Sequence, residues 1–339
     1  MSALCQAVSA CGRGIHQWQQ PSDLADMMTS LNAIEQLADG GGGVLITGAN
    51  GHLGTRLLRQ LRNARAPQVR ALVRSASAAA RLEGLVDSVI EGSYIDAQVL
   101  ERALDGCDRV VHLVGIIKEN RTNSFASAHV ETTRTLVTAA ERCGVERIVY
   151  LSIVGSSVEN ANPCLASKAE AEGLLSDSSV PATVFRVPMV LGEGDYASQA
   201  LRRRALAKPA WVFRAESIEQ PIYAGDVLDA VLRALVAKDE ADRLYELPGP
   251  ETLSRRALIE RAATILGAHV RVRSLPMALG YGLAGVAELL SANPPVTRAM
   301  LGVLDHDDRA SNGAAVAELG LELTELDEIL RRCLEPAVG

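Results

Sequence analysis

Three things are scarce in this chain, and each scarcity narrows what it can be. Aromatic residues make up only 3% of the 339 positions, so a core of this size must be built from Val, Leu, Ile and Ala. Positive charge is outnumbered: 34 Lys and Arg stand against 41 Asp and Glu, for a net charge of −7. That balance argues against wholesale nucleic-acid binding, because neutralising phosphates needs a basic face. Paired cysteines are missing as well. Cys5, Cys11, Cys107, Cys143, Cys164 and Cys333 show neither CxxC spacing nor small-scaffold density, the pattern of a reduced, intracellular protein. No basic-plus-apolar leader opens the sequence, and no apolar run reaches the roughly 20 residues that a membrane span requires. The nearest, Leu275 to Leu290, carries three glycines and Glu288. It is expected as a buried helix or a hydrophobic lid, with a seat on a membrane surface as the alternative. The expected location is cytoplasmic, with peripheral attachment to the inner face of the membrane as the variant.

What the chain has in quantity is glycine, 28 residues of it, and one cluster organises the rest. Gly43 to Thr47 is a short apolar run, and Gly48-Ala49-Asn50-Gly51-His52-Leu53-Gly54 follows it. Leu53, Leu57, Leu58 and Leu61 then share one helical face. The sequence reads strand, turn, helix. Gly48 permits the tight turn, Gly51 lets backbone N–H groups approach a pyrophosphate, and Gly54 lets the helix pack on the strand. Thr47, Asn50, His52 and Leu53 belong to the same cradle, whose exposed N–H groups face negative phosphates.

Strand and helix alternate from there on, which favours an α/β fold with a doubly wound parallel sheet and crossover helices. Strands are expected at Val69 to Arg74, Asp87 to Glu91, Arg109 to Gly115, Arg147 to Ser152 and Pro181 to Val187. A long helix is expected from Phe125 to Cys143, and another from Pro163. After the second strand an Asp or Glu would hold the ribose hydroxyls of NAD, but Arg74 and Ser75 stand there, which favours NADP(H). Val114 and Gly115, at the end of the fourth strand, are expected beside the cofactor ribose or nicotinamide. Residues 1–42 form an appendage with a helix over Leu24, Met27, Met28, Leu31, Ile34 and Leu37, capped by Ser22 or Asp23. Residues 43–190 form the nucleotide domain. Residues 191–339 form a smaller α+β lobe on the substrate or partner side, mixed with the last elements of the sheet. Within it a short strand at Gln220 to Tyr223 is expected to run into a helix capped by Asp226.

Lesser features have bland readings. Asp195 and Asp226 are a conceivable carboxylate pair, although nothing in the sequence brings them together. Arg202, Arg203 and Arg204, with Lys208 and Arg214, read as a solvated helix face or as a site for an anionic substrate or headgroup. His112, inside an apolar strand, reads as a satisfied core histidine, and no metal site is expected.

These pieces together resemble the short-chain dehydrogenase/reductase superfamily, and within it the atypical, extended branch that includes relatives of the NDUFA9 subunit of respiratory complex I. The resemblance covers residues 43 to 335. It is carried by the glycine motif, Val111 to Ile116, His129-Val130-Glu131, Gly144 to Arg147, Ser167 to Glu170, Arg186-Val187-Pro188 and Gln220 to Tyr223. Glu246 to Pro250 and Pro294 to Arg298 are the branch-specific pieces. It implies that Val187 and Pro188 line the cofactor cleft. It implies that Lys168 bonds the nicotinamide ribose and that Ser152 polarises a carbonyl. It also implies that a Tyr four residues before the Lys acts as the proton donor. In this chain that place is held by Cys164. A thiol is shorter than a phenol and does not present its proton in the same place. The resemblance therefore implies a nucleotide binder serving a respiratory or quinone-biosynthesis protein partner. The alternative is an active reductase or epimerase on a small or isoprenoid substrate that uses Lys168.

Overall fold

Every residue of the strand Gly43–Thr47 (β1) is buried, as befits a strand covered on both faces. The amphipathic helix His52–Asn63 (α1) follows it and buries Leu57, Leu58 and Leu61. The computed structural model describes residues 33–37, 42–63, 68–237, 241–291 and 293–335. The alternation continues through Val69–Val73 (β2), Ala76–Ala80 (α2), Ser88–Glu91 (β3), Ala97–Leu104 (α3) and Cys107–His112 (β4). Thr132–Cys143 (α4), Arg147–Ile153 (β5), Pro163–Ser176 (α5) and Ala182–Val187 (β6) complete the first half. The caps are local: Asp96 accepts from the N–H groups of Gln98 and Val99, and Asn162 accepts from that of Cys164.

The second half contains Val190–Leu191 (β7), Tyr196–Ala205 (α6), Ala210–Phe213 (β8), Ile218–Glu219 (β9), Ile222–Tyr223 (β10) and Ala224–Val236 (α7). Next come Arg243–Glu246 (β11), Leu253–Ser254 (β12), Arg255–Ile265 (α8) and Val272–Leu275 (β13). Four helices close the chain: Met277–Leu290 (α9), Arg298–Leu304 (α10), Gly313–Leu319 (α11) and Leu326–Leu334 (α12).

The main sheet has seven strands in the order β11-β6-β5-β4-β1-β2-β3, all parallel. Reading outward from β1 in both directions gives the doubly wound order, so the crevice where the order reverses lies at the C-terminal ends of β1 and β4. One core, on the face of α1 and α7, contains Val44, Ile46, Leu57, Val227 and Val231. A second, on the face of α3, α4 and α5, contains Leu45, Leu100, Leu136, Tyr150 and Leu175. A third, around α6, α8 and α12, belongs to the smaller lobe.

Several expectations need correction. The fourth strand ends at His112, not Gly115, because pairing with β1 stops once Thr47 has been matched and Gly115 is free to face the crevice. The helix expected from Phe125 begins as a π-helical stretch, Ala126–Glu131, before tightening into α4. Asp226 does not cap α7, which starts two residues earlier at Ala224. Its carboxylate instead accepts from the N–H and hydroxyl of Thr324, tying α7 to the segment before α12. Of the expected N-terminal helix, residues 33–37 are helical, and Ala33, Ile34 and Leu37 are buried in the first core. Ser22, Asp23, Leu24, Met27, Met28 and Leu31 lie outside the described residues.

Candidate functional site

The turn after β1 is shaped by what glycine lacks. Gly48 has a φ of +68°, and a Cβ there would stand 2.8 Å from the Leu113 carbonyl carbon. A Cβ on Gly54 would sit 2.7 Å from Ala49 Cα, so the first turn of α1 lies directly on the loop. Only glycine tolerates both demands without a shift of the backbone. Asn50, Gly51 and His52 are exposed on the outer side of the turn, while the Leu53 side chain packs on the first core. The Thr47 hydroxyl is turned inward, 2.6 Å from His112 Nδ1. Below the turn the Tyr94 hydroxyl accepts from the Gly48 N–H at 3.2 Å and donates to the Leu72 carbonyl at 3.1 Å. Tyr94 braces the loop from the end of β3, a role the sequence reading missed although Tyr94 stands in a recognisable post-strand turn.

Arg74, exposed at the end of β2, holds its guanidinium 5.9 Å from the centre of the Tyr94 ring and donates to Asn123 Oδ1. Ser75 caps α2, its hydroxyl accepting from the Ala78 N–H. A cation therefore marks the position after the second strand where an acidic residue would select unphosphorylated ribose.

Lys168 is the centre of the buried chemistry. Its ammonium donates to the Tyr150 hydroxyl at 3.1 Å and to the Leu151 carbonyl at 2.8 Å, and the third N–H has no partner among the described residues. A Cβ on Gly115 would lie 3.2 Å from Lys168 Nζ, so the absence of one leaves the ammonium open toward the crevice. Glu172, one turn later on α5, is occupied by a two-pronged pair with Arg186. Without a carboxylate of its own, Lys168 is pushed down to about 8 by burial. Tyr150 has no exposed surface, and burial drives its phenol pKa up.

Cys164 is also fully buried. Its Sγ lies 3.5 Å from the Ile116 carbonyl oxygen, and burial pushes the thiol up to about 11 against the opposing pull of Lys168. His129 supplies the neighbouring link. Its Nε2 accepts from the Ile116 N–H at 3.0 Å, so the proton is on Nδ1 and is donated to Ser167 Oγ at 2.8 Å; that hydroxyl donates to the Cys164 carbonyl. Burial and the Lys168 charge pull His129 down to about 3, which keeps the imidazole neutral, as that chain of bonds requires. This relay, assembled from the loop after β4, the π-helical stretch and α5, was missed in the sequence because Ile116, His129 and Ser167 meet only in the fold. Ser152 is buried, its hydroxyl 3.4 Å from that of Ser156. Val114 packs against the second core, and Val187 is buried at the end of β6, its carbonyl accepting from the Val154 N–H, with Pro188 next in the chain.

The remaining candidates are structural. Asp195 caps α6 and Asp226 holds Thr324, so they make no pair. Arg202 donates to the Leu334 carbonyl, Arg203 lies over Tyr196, and Arg214 pairs with Asp305 at 2.6 Å and Asp307 at 3.0 Å. His112 bonds Thr47 and Thr133 and stacks on Tyr150. A cover for the crevice comes from late in the chain. Lys118 donates to Asn293 and to the Pro294 carbonyl, and Asn162 Nδ2 donates to the Ala299 carbonyl at 2.9 Å.

The residues suit a dinucleotide: glycines where a Cβ would block the cradle, an open ammonium beside Gly115, and a cation after β2. A family model described as NAD(P)H-binding matches residues 48–211. Sterol demethylase protein B of Methylococcus capsulatus is 31% identical over 57% of this chain and 59% of its own length, so the chain spans less than two thirds of that relative. A Stigmatella aurantiaca protein named 4-hydroxy-2-methyl-3-oxo-4-farnesyl-3,4-dihydroquinoline-1-oxide ketoreductase is 25% identical over 81% of this chain and 90% of its own. The Arabidopsis thaliana mitochondrial NADH dehydrogenase [ubiquinone] 1 alpha subcomplex subunit 9 is 25% identical over 83% and 73%. Among solved structures, the UDP-glucose 4-epimerase of Thermus thermophilus, in complex with NAD, superposes with a TM-score of 0.65 at 19% identity, covering 86% of this chain and 97% of that one.

Sheet order and glycine turn define a Rossmann fold whose residues 48–211 match an NAD(P)H-binding family model, and its relatives make the chain similar to the atypical, extended short-chain dehydrogenases/reductases. Within that class the chain resembles the branch of the complex I alpha subcomplex subunit 9.

Proposed function

We propose that this protein holds NADP(H) as a structural or sensory ligand, serving a respiratory or quinone-related protein partner rather than turning over carbonyl substrates by the usual route. The observation that carries this reading is the absence of an exposed acid beside Lys168 among the described residues. Tyr150, the phenol within reach, is sealed in the core, and the Cys164 thiol is buried and held far above neutrality. In this reading the glycine turn and its helix start hold the pyrophosphate, Arg74 meets the 2′-phosphate, and Lys168 bonds the nicotinamide ribose. The nicotinamide, when bound, supplies hydride chemistry. The partner is proposed from the Arabidopsis relative, whose name makes it a subunit of NADH dehydrogenase [ubiquinone].

The test is to purify the full chain, identify the retained nucleotide by mass spectrometry and follow NADPH absorbance against a panel of carbonyls and quinones. Near-stoichiometric NADP(H) without turnover is expected, with respiratory or quinone-pathway proteins recovered by affinity purification. Robust turnover that Lys168→Ala abolishes would overturn it. A second reading is favoured by one observation: Lys168 is pushed down to about 8 and keeps a free N–H toward the crevice. An ammonium of that acidity suits general acid catalysis near neutral pH. A reductase or epimerase acting on an isoprenoid or quinone-like molecule under the α9–α10 cover would use it. The Stigmatella relative, named as a ketoreductase of a farnesyl-bearing compound, is in keeping with that reading.

A further inference from the structure

Helix α9 is built inside out. Its exposed residues are Ala278, Leu279, Gly282, Leu283, Val286, Leu289 and Leu290, a continuous face with no polar side chain on it. Leu289 and Leu290 are 87% and 83% exposed. The polar residues of the same helix are spent elsewhere, Tyr281 donating to Asp305 and Glu288 accepting from Arg298. Gly280, on the buried side, rests against Phe213 of β8 and Leu301 of α10. A helix face of this kind left in water is a docking surface, because contiguous exposed apolar patches of this size are rare on soluble proteins.

The neighbouring ribbon indicates what docks there. Strands β8 and β13 pair in parallel with Trp211 opposite Arg273, both exposed, and β13 leads through Pro276 into α9. A cleft at the start of that ribbon is lined by Lys208, Pro209, His269, Val270, Arg271 and Arg273, with no acidic residue among them. None of Lys208, Arg271 and Arg273 has an acidic partner among the described residues. In a chain of net charge −7 this cationic cleft, at the end of the Trp211 ribbon away from α9, is a local reversal. Leucines that enter an acyl layer, a tryptophan at its boundary and lysine or arginine against phosphate are the requirements of an anionic lipid surface. The helix has 14 residues, about 21 Å at 1.5 Å per residue, too short for the ~30 Å hydrocarbon core, so it lies along the surface.

We infer that the outward face of α9, with the adjoining β8–β13 ribbon, docks the protein on an anionic lipid surface. The inference is independent of whether the nucleotide is structural or catalytic. The test is sedimentation of the full chain with vesicles of phosphatidylcholine, with and without phosphatidylglycerol. A Trp18→Phe background makes Trp211 emission a second reading. Binding that needs phosphatidylglycerol, weakens with salt and shifts Trp211 emission to the blue is expected. Lys208→Gln, Arg271→Gln and Arg273→Gln should each cost about fivefold in partitioning, and Leu283→Glu with Val286→Glu more than tenfold. Nucleotide retention and melting temperature should be unchanged, and Leu283→Ala with Leu290→Ala provides a milder pair should the charged one fail to fold. Failure of the wild-type chain to bind either vesicle, or equal binding to both, overturns the inference. So does a lipid-free dimer that Leu283→Glu dissociates, since the face would then be covered by a second copy.

Discussion

At the scale of single residues, Lys168 carries most of the chemistry. Its ammonium is buried without a carboxylate, and its pKa falls from the ordinary 10.5 to about 8. Between those two values the unfolded chain holds a proton that the folded chain has lost, so stability rises with pH across that window. Below pH 8 both states are protonated and the folded protein bears the full cost of burying the charge. Lys168→Met removes that cost. The melting-temperature advantage of Lys168→Met over wild type, measured on nucleotide-free protein, is therefore expected to be largest at or below pH 8 and to shrink toward pH 10.5. A gap that stays constant would mean that the ammonium is hydrated. His129 has a pH dependence of the same sign in a lower window. Held neutral at about 3 against an ordinary 6.5, it contributes stability above pH 6.5 that is lost as the pH falls toward 3.

At the scale of elements, the glycine turn is a close contact between α1 and the loop that follows β1. Gly54→Val would force side-chain atoms into the Ala49 backbone, which a Cβ alone would already approach to 2.7 Å. Overpacking of this kind costs about 1–3 kcal/mol, and it displaces the N–H groups that face the phosphates. Loss of nucleotide retention with only a moderate drop in melting temperature is expected, read by mass spectrometry and a thermal melt. Retention at wild-type level would place the nucleotide grip elsewhere. The turn was legible in the sequence because all of its parts are local: an apolar strand, glycines at fixed spacing and an amphipathic helix. The seven-strand sheet was largely legible for the same reason. Tyr94 under the turn, Tyr150 under Lys168 and the His129–Ser167–Cys164 relay were not, since each bond joins residues brought together only by the sheet order. Asp226 shows the limit from the other side. Its position looked like a cap, and only the fold reveals Thr324 beside it.

At the scale of the whole molecule, the smaller lobe and the main sheet share one stretch of chain. The chain leaves the main sheet at Val187, builds part of the smaller lobe, and returns to add β11 beside β6, with Tyr245 opposite Phe185. A fragment of residues 42–190 is thus expected to aggregate or to melt well below the full chain in a thermal scan, because its β6 edge would have no neighbour. Equal stability of fragment and full chain would show that the seventh strand is dispensable. The same return governs how the protein is made. During synthesis the flank of the sheet stays open until residue 246 has left the ribosome, so an interruption anywhere in that interval releases a nascent chain with a sticky border.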